Sequence, residues 1–204
     1  MPLAPCILVI AATSRELAAP TTRTAPTAPF IGVLCGVGPV EAAIAASRAI
    51  AEHHPDGIVH VGIAGARRAA ALAPGTLVVG SASHYTDLST VPAEWAPSQL
   101  VPDLSLLHAF SGTLPHACVL PIATSARVGG TLHGATACDV EAMEGFSVLR
   151  AAQLAGIPAI EVRAISNDIE EENRARWHVA TAFDAITTVT PTLVATMQEL
   201  LRRA

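Results

Sequence analysis

Short apolar runs, rich in Val, Ile, Leu and Ala, recur along the chain and predict buried strands. They span residues 6–12, 30–36, 57–65, 75–83, 117–129 and 158–166. The third and fourth runs follow each other with no room for a helix between them. Since parallel neighbours need a long crossover connection, this spacing predicts a mixed sheet.

Segments between the runs carry the helical pattern, with apolar residues on one face. Helices are predicted over residues 39–54, 143–156, 176–189 and 190–204. Gly156 ends the second helix, and Thr190 caps the last one with Pro191 in its first turn. Strands alternating with helices predict an α/β fold, in which a central twisted mixed sheet is flanked by helices and residues 1–204 form a single domain.

Two stretches show neither the apolar runs of buried strands nor the helical pattern. Residues 18–29 form a connector of Pro, Thr and Ala that is not long enough to separate two domains. Residues 84–115 contain several prolines and predict a long surface excursion near one end of the sheet.

Composition narrows the function classes. Hydrophobic residues make up 51% of the chain and charged residues 14%, which is ample for a core and argues against disorder. A net charge of −5 and an aromatic content of 3% argue against nucleic-acid binding, which needs basic patches and stacking platforms. No uninterrupted apolar run reaches the roughly 18 residues of a membrane span, so no membrane partner is expected.

Cysteine and histidine usage predicts a reduced protein without a metal site. The four cysteines are scattered and form no CxxC pair, which predicts reduced thiols and a cytoplasmic location. The eight histidines lack the spacing of zinc ligands, and His53, His54 and His60 fit a helix end and a strand. The first apolar run has no basic segment before it, so it predicts a strand and not a signal peptide.

The stretch DVEAMEG, residues 139–145, places Asp139, Glu141 and Glu144 within seven positions of a chain otherwise sparse in acids. Such a cluster suits the start of a surface helix, where acidic residues are favoured. It also suits a pocket that binds hydroxyl groups, because carboxylates accept hydrogen bonds. The sequence leaves both interpretations open.

Two turns rich in small residues follow predicted strands. The turn CGVGPVEAA (35–43) lacks the third glycine of a dinucleotide-binding motif, since Glu41 stands there, so its backbone is expected near a phosphate, a sugar or water. The turn VGIAGA (61–66) can expose backbone amides at the carboxyl edge of the sheet, where ligands gather. Both stretches also fit plain tight turns.

The stretch EVRAISND (161–168) contains a charge inside an apolar strand. Arg163 needs an anion there, because an unpaired buried charge is very costly, and a nearby glutamate is the obvious candidate. Ser166, Asn167 and Asp168 follow at the carboxyl end of the strand, where they face a ligand or form an Asx turn.

Taken together, these motifs resemble the purine nucleoside phosphorylase and nucleosidase superfamily, and within it the futalosine hydrolases of the alternative menaquinone route. The resemblance rests on VEAMEG (140–145), RAISN (163–167) and RARW (174–177), and it extends to the GVGPVEAA and GIAGA turns and to AATSREL. It spans the chain and is weakest over 84–138. It implies hydrolysis of a purine nucleoside, most closely futalosine to hypoxanthine and dehypoxanthine futalosine, with no metal or organic cofactor.

The resemblance also implies roles for individual side chains. Glu144 accepts hydrogen bonds from the ribose 2′- and 3′-hydroxyls, and Met143 packs on sugar and base. Glu16 activates the attacking water, with help from Arg163. Further residues expected beside the substrate are Gly62, Ile63, Ala64, Ser166 and Asp168.

Asn167 indicates which base is bound. Related nucleosidases that act on methylthioadenosine carry Asp at this position, whereas an asparagine amide supplies two donor hydrogens. In hypoxanthine both N7 and O6 accept, so Asn167 favours a 6-oxopurine. A shift of the loop by one residue would put Asp168 in this place instead.

Two departures from the family leave alternatives open. The segment before DVEAMEG shrinks to LHGATAC (132–138), in a region that helps line the base pocket of the family. Ile63 stands where some relatives have a hydroxyl residue, which makes phosphorolysis harder to support. A purine nucleoside phosphorylase, a methylthioadenosine/adenosylhomocysteine nucleosidase and a non-catalytic nucleoside-binding protein therefore stay as alternatives. The resemblance also implies a homodimer or a higher homo-oligomer.

Overall fold

The computed structural model describes residues 4–17, 29–88, 92, 94–133 and 137–203. In these residues one mixed sheet contains the strands β1 Ile7–Ala11, β2 Ile31–Leu34, β3 Gly57–Ala66, β4 Leu77–Tyr85, β5 Gln99–Leu100, β6 Cys118–Thr124, β7 Val140–Ala142 and β8 Ala159–Asp168. The α-helices are α1 Ser14–Leu17, α2 Pro39–His53, α3 Leu104–Thr113, α4 Gly145–Ala155 and α5 Val179–Arg203. The predicted α/β fold with a central mixed sheet flanked by helices is confirmed.

The sheet closes on itself at one end. β2, β1 and β3 pair in parallel, and β8 pairs in parallel with β3 and antiparallel with β4. β6 runs parallel to β4 and to β7, and β7 pairs antiparallel with Gly65 and Ala66 at the end of β3. β3, β8, β4, β6 and β7 therefore form a closed ring, which the linear pattern of strands does not reveal.

Helices cover both faces of the sheet, and this explains the continuous apolar runs. Along β1, Ile7 and Val9 pack in a core cluster with residues of α3 and α5. Leu8 and Ile10 point to the other face and pack in a second cluster with α2 and α4. Because successive strand residues face opposite sides, a strand buried on both sides is apolar throughout.

The C-terminal helix differs from its prediction. The prediction of two helices, over 176–189 and 190–204, is wrong because a single helix, α5, runs through Pro191. Thr190 is not a cap, since its hydroxyl donates to the carbonyl of Ile186 at 2.7 Å. A proline inside a helix costs about 3 kcal/mol. The buried stripe of α5 continues against the sheet on both sides of the proline, and this burial outweighs that cost.

The prediction that residues 84–115 form a surface excursion is also wrong. β4 continues to Tyr85, β5 pairs with β4, and α3 buries Leu106 and Phe110 in the core. Leu104 of α3 is apolar as well but 68% exposed, so no clear amphipathic period marks this helix in the sequence. The connector predicted over 18–29 lies, except for Pro29, outside the described residues.

The acidic stretch before α4 is a strand and a turn. The helix predicted over 143–156 begins at Gly145, and it ends at Ala155 with Gly156 in the left-handed conformation, φ 69°. Residues 140–142 of DVEAMEG form β7, whose three residues are all buried. Glu141 in β7 and Glu144 in the turn are buried, so these two carboxylates do not mark the exposed start of a surface helix.

Within the described residues, α5 is the helix whose length and mean hydropathy would also suit a membrane span. Its residues Ile186, Leu193 and Met197 have no exposed surface. They belong to the core cluster on β1, β3 and β8, so the apolar character of α5 is explained by packing against the sheet.

Candidate active site

A cavity of about 200 Å³ opens at the carboxyl ends of β1, β3 and β8, where ligands of open α/β sheets gather. The residues predicted for the site that line this cavity are Glu16, Ile63, Ala64, Met143, Glu144, Ser166 and Asn167. Gly62 and Arg163 lie behind the lining, next to Glu16 and Glu144. Asp168 faces elsewhere.

Glu16 is held in place from both of its carboxylate oxygens. It lies in α1 and is 4% exposed. Its Oε2 accepts from the backbone N–H and the hydroxyl of Thr13, at 2.8 and 2.9 Å. Its Oε1 accepts from the backbone N–H of Ile63 at 3.2 Å. These contacts direct the carboxylate towards the end of β3.

Arg163 is fully buried and lies among carboxylates. Its Nε donates to Oε1 of Glu161 at 2.8 Å, and its Nη2 is 3.5 Å from Oε2 of Glu144. The prediction that a glutamate neutralises this arginine is confirmed, with two carboxylates in place of one. A side chain at Gly62 would collide with Nη1 of Arg163 and would lie 2.9 Å from Oε1 of Glu16. Gly62 therefore leaves room for both groups.

Glu144 connects the DVEAMEG stretch (139–145) with the glycine turn at 35–43. It stands at the N-cap of α4, is 4% exposed, and its Oε1 accepts from the backbone N–H of Gly38 at 3.1 Å. Gly38 has φ 95°, a conformation that favours glycine, and it precedes Pro39 at the start of α2. The turn at 35–43 thus binds a carboxylate of the protein at this position.

Asn167 turns one edge of its amide towards the cavity. Its Oδ1 accepts from the hydroxyl of Ser166 at 2.7 Å, and its Nδ2 donates to the carbonyl of Asp168 at 2.8 Å. An amide nitrogen has two hydrogens, so one of them stays available. In this structure one of the two hydrogens is thus engaged within the protein.

Asp168 is placed outside the cavity. Its Oδ2 is 3.0 Å from Nε of Arg68, and its side chain is 42% exposed. The next residue after Asn167 therefore belongs to a surface ion pair. Of these two residues, Asn167 lines the cavity and Asp168 does not.

Residues 21–204 match the family model of the phosphorylase superfamily. The chain belongs to the phosphorylase superfamily. A curated relative, the futalosine hydrolase of Streptomyces coelicolor, is 35% identical over 74% of this chain and 73% of that protein.

Solved structures share the fold of this superfamily member. The methylthioadenosine/adenosylhomocysteine nucleosidase of Colwellia psychrerythraea, solved in complex with adenine, has a TM-score of 0.76 at 20% identity, with 98% of this chain and 96% of that chain covered. Futalosine hydrolase of Helicobacter pylori has a TM-score of 0.75 at 15% identity, with 96% and 98% covered. Both matches extend over almost the whole length of the fold.

Burial dominates the ionisation of the site. It raises the pKa of Glu144, a rise that Arg163 and the Gly38 amide oppose and that Glu16 supports. Burial opposes the charge of Arg163, but the carboxylates around it raise its pKa above the ordinary value. Burial, followed by the charge of Glu144, raises the pKa of Cys35 to about 12, so this thiol stays neutral.

Glu141 is a lining residue to which the sequence analysis assigned no role. It is 6% exposed, and its Oε1 accepts from the backbone N–H of Gly129 at 2.6 Å. Its Oε2 accepts from the backbone N–H and the hydroxyl of Thr131, at 2.8 and 2.6 Å. Glu141 thereby holds the loop that lines the cavity through Val128 and Gly129. The signal in the sequence was the cluster of three acids in DVEAMEG (139–145), to which Glu141 belongs.

Apolar residues complete the wall of the cavity. Val37 follows β2, and Trp177 and Phe183 lie near the start of α5. Trp177 belongs to the RARW motif, and its Nε1 donates to the carbonyl of Glu171 at 3.0 Å. Among the described residues, no group of three or more His, Cys, Asp or Glu side chains is arranged to hold a metal ion.

Proposed function

We propose that this protein hydrolyses the N-glycosidic bond of a purine nucleoside, with futalosine as substrate and hypoxanthine and dehypoxanthine futalosine as products. One observation carries the proposal: Glu16, Glu144 and Asn167, from three distant parts of the chain, line the same cavity. The 35% identity to the Streptomyces coelicolor futalosine hydrolase supports the choice of substrate. The reaction places this chain in the menaquinone route that uses futalosine.

The sugar is bound by Glu144. Gly38 occupies one acceptor site of its carboxylate, and the remaining lone pairs can accept from the 2′- and 3′-hydroxyls. Negative charge at this position also stabilises the oxocarbenium-like sugar that forms as the C1′–N9 bond breaks. Met143, half-buried in the lining, packs its thioether on the sugar and the base.

The attacking water is held by Glu16 with Arg163. Oε1 of Glu16 and Nη1 of Arg163 both lie close to Gly62, so an acceptor and a donor are near each other there. As the water oxygen bonds to C1′, its proton passes to Glu16. The electron pair of the C1′–N9 bond leaves with the purine, which then takes up one proton.

The base is recognised by the amide of Asn167. Its available hydrogen donates to O6, an acceptor that hypoxanthine has and adenine lacks. Adenine presents an amino donor in place of O6, and a donor facing a donor leaves a buried group unpaired. The site therefore favours a 6-oxopurine as the leaving group.

The same site favours water over phosphate. Phosphate needs several donors or cations, whereas Ile63 brings an apolar side chain to the lining. Arg163 is already engaged by Glu161 and Glu144. A phosphate anion beside these carboxylates would be repelled, and neutral water is not.

The test is base release by purified protein from futalosine, methylthioadenosine and inosine, each with and without phosphate. We expect futalosine to react fastest and to need no phosphate. Strict dependence on phosphate would identify a phosphorylase, and a preference for methylthioadenosine would identify an adenine-releasing nucleosidase. Tight nucleoside binding without turnover, unchanged in Glu16→Ala, would identify a non-catalytic binding protein.

We also propose that the chain forms a homodimer and acts in the cytoplasm. Val37, Val40 and Ile44 are 57%, 68% and 62% exposed, and Val40 and Ile44 lie one turn apart on α2. Such an apolar stripe is costly in water and fits a second copy of the chain. Because Val37 also lines the cavity, the second copy would lie beside the ligand. Light scattering after gel filtration tests this, with Val40→Glu expected to give monomers.

A further inference from the structure

Two buried side chains that have no role in the proposed reaction contact Arg163, one from its own strand and one from the neighbouring strand. Glu161, on β8, accepts from Nε of Arg163 at 2.8 Å. His60, on β3, is hydrogen-bonded through its Nε2 to Nη2 of Arg163. His60 has no exposed surface and Glu161 has 1%. Neither of them lines the cavity.

The tautomer of His60 follows from its second contact. Its Nδ1 lies 2.9 Å from the carbonyl of Ile10, which can only accept, so Nδ1 carries the proton. Nε2 is then an acceptor and is directed at the guanidinium group. Burial, followed by the charge of Arg163, holds the pKa of His60 well below its ordinary value, which keeps the ring neutral.

The space for the carboxylate of Glu161 depends on a glycine at the start of α4. A side chain at Gly145 would collide with both carboxylate oxygens of Glu161. Gly145 directly follows Glu144, so the turn that presents the sugar-binding carboxylate also makes room for Glu161. The position of Glu161 beside Arg163 therefore depends on the same turn that positions Glu144.

We propose that Glu161 and His60 are positioning residues that hold Nε and Nη2 of Arg163, so that Nη1 is kept beside Gly62, on the side of Oε1 of Glu16. This inference rests on the proposed hydrolysis. A guanidinium group is planar, so fixing two of its nitrogens also fixes the direction of the third. Among the described residues, Nη1 is the buried guanidinium nitrogen of Arg163 without a hydrogen-bond partner.

Glu161 also contributes charge to the site. The groups surrounding the pair of Glu144 and Arg163 are Glu16 of α1, Cys35 after β2, His60 of β3 and Glu161 of β8. Removing the charge of Glu161 lowers the proton affinity of Glu144, because this charge is one of the causes that raise the pKa of Glu144. The part of the acid limb that Glu144 sets is then expected to move to lower pH.

The experiment compares wild type, Glu161→Gln and the surface control Glu52→Gln over a range of pH. Glu161→Gln keeps an acceptor for Nε and removes one charge, and Glu52→Gln removes one charge from a side chain that is 59% exposed. We expect kcat of Glu161→Gln to fall about tenfold to a hundredfold, because small displacements of a catalytic group are that costly. We expect KM to change by less than about threefold, since Glu161 touches no substrate.

The acid limb of Glu161→Gln should lie at lower pH than that of both wild type and Glu52→Gln. If Glu161→Gln does not fold, His60→Leu is used instead, because it removes the acceptor for Nη2 of Arg163. The same loss of kcat is expected for this variant. If the wild type releases base and the variant has the same kcat and pH profile, the positioning role of Glu161 and His60 is contradicted, while the proposed function stands. A wild-type protein that releases no base from any nucleoside contradicts the proposed function instead.

Discussion

The backbone N–H of Gly38 donates to Oε1 of Glu144 at 3.1 Å, across 106 positions of sequence. This bond connects the glycine turn before α2 with the acidic turn before α4. Charge-assisted bonds to backbone donors are stronger than neutral ones and fix the direction of a carboxylate. The carboxylate proposed to bind the ribose is therefore oriented before any ligand arrives.

Glu144→Gln is expected to lose most of its activity. An amide keeps the shape of the side chain but removes the negative charge and one acceptor oxygen. We expect kcat/KM for base release to fall at least about a hundredfold, comparable to the loss of one oxyanion-stabilising donor. Steady-state kinetics measure this, and circular dichroism checks the fold. Activity close to that of wild type would contradict the role of Glu144.

The same variant is expected to gain stability at alkaline pH. Because the pKa of Glu144 is raised in the folded state, its contribution to stability is complete below the unfolded pKa and is lost as the pH rises through the folded pKa. Glutamine mimics the neutral acid at every pH. Denaturant titrations should show Glu144→Gln more stable than wild type at pH 8, by about 1.4 kcal/mol for each unit of the pKa rise. The difference should disappear near pH 4, and a loss of stability at pH 8 would contradict the direction of this shift.

Asn167→Asp is expected to change the preferred base. A carboxylate accepts from the amino group of adenine but repels O6 of hypoxanthine, since both are acceptors. The ratio of kcat/KM for futalosine to that for methylthioadenosine should fall by at least about tenfold. Asp168→Asn is the matched control, because Asp168 lies in the surface pair with Arg68. Equal effects of both substitutions would show that Asn167 does not select the base.

Gly62→Ala is expected to disrupt the site through one methyl group. The added carbon would collide with Nη1 of Arg163 and press on Oε1 of Glu16 at 2.9 Å. Overpacking a buried site typically costs about 1–3 kcal/mol, so both activity and thermal stability should fall. Gly112→Ala, in α3, is the control, because the added carbon meets nothing within 4 Å. A Gly62→Ala variant as active and as stable as this control would contradict the crowding described here.

Much of the fold could be predicted because its central strands, such as β1, β3 and β8, are largely buried on both faces. Continuous apolar runs indicate such strands directly, and β1, β2, β3, β4, β6 and β8 all match predicted runs. β7 was missed because three residues give no recognisable period, and one of the three, Glu141, is charged. Pro191 suggested a helix boundary, but α5 continues through this residue because its apolar face packs against the sheet on both sides of it.

The site could be predicted where a residue conflicts with its local pattern. Arg163 in an apolar strand required an anion, and the structure supplies Glu161 and Glu144. Contacts between distant elements could not be predicted, because no local pattern encodes them. Examples are the hydrogen bond from Gly38 to Glu144 and the hydrogen bonds from Thr131 to Glu141.

The most direct test of the proposed function is the fate of the water oxygen. Purified protein is incubated with futalosine in phosphate-free buffer made with ¹⁸O-labelled water, and the products are analysed by mass spectrometry. We predict unlabelled hypoxanthine, together with dehypoxanthine futalosine that carries one ¹⁸O at the sugar C1′. Absence of reaction until phosphate is added, with a sugar phosphate as product, would contradict it.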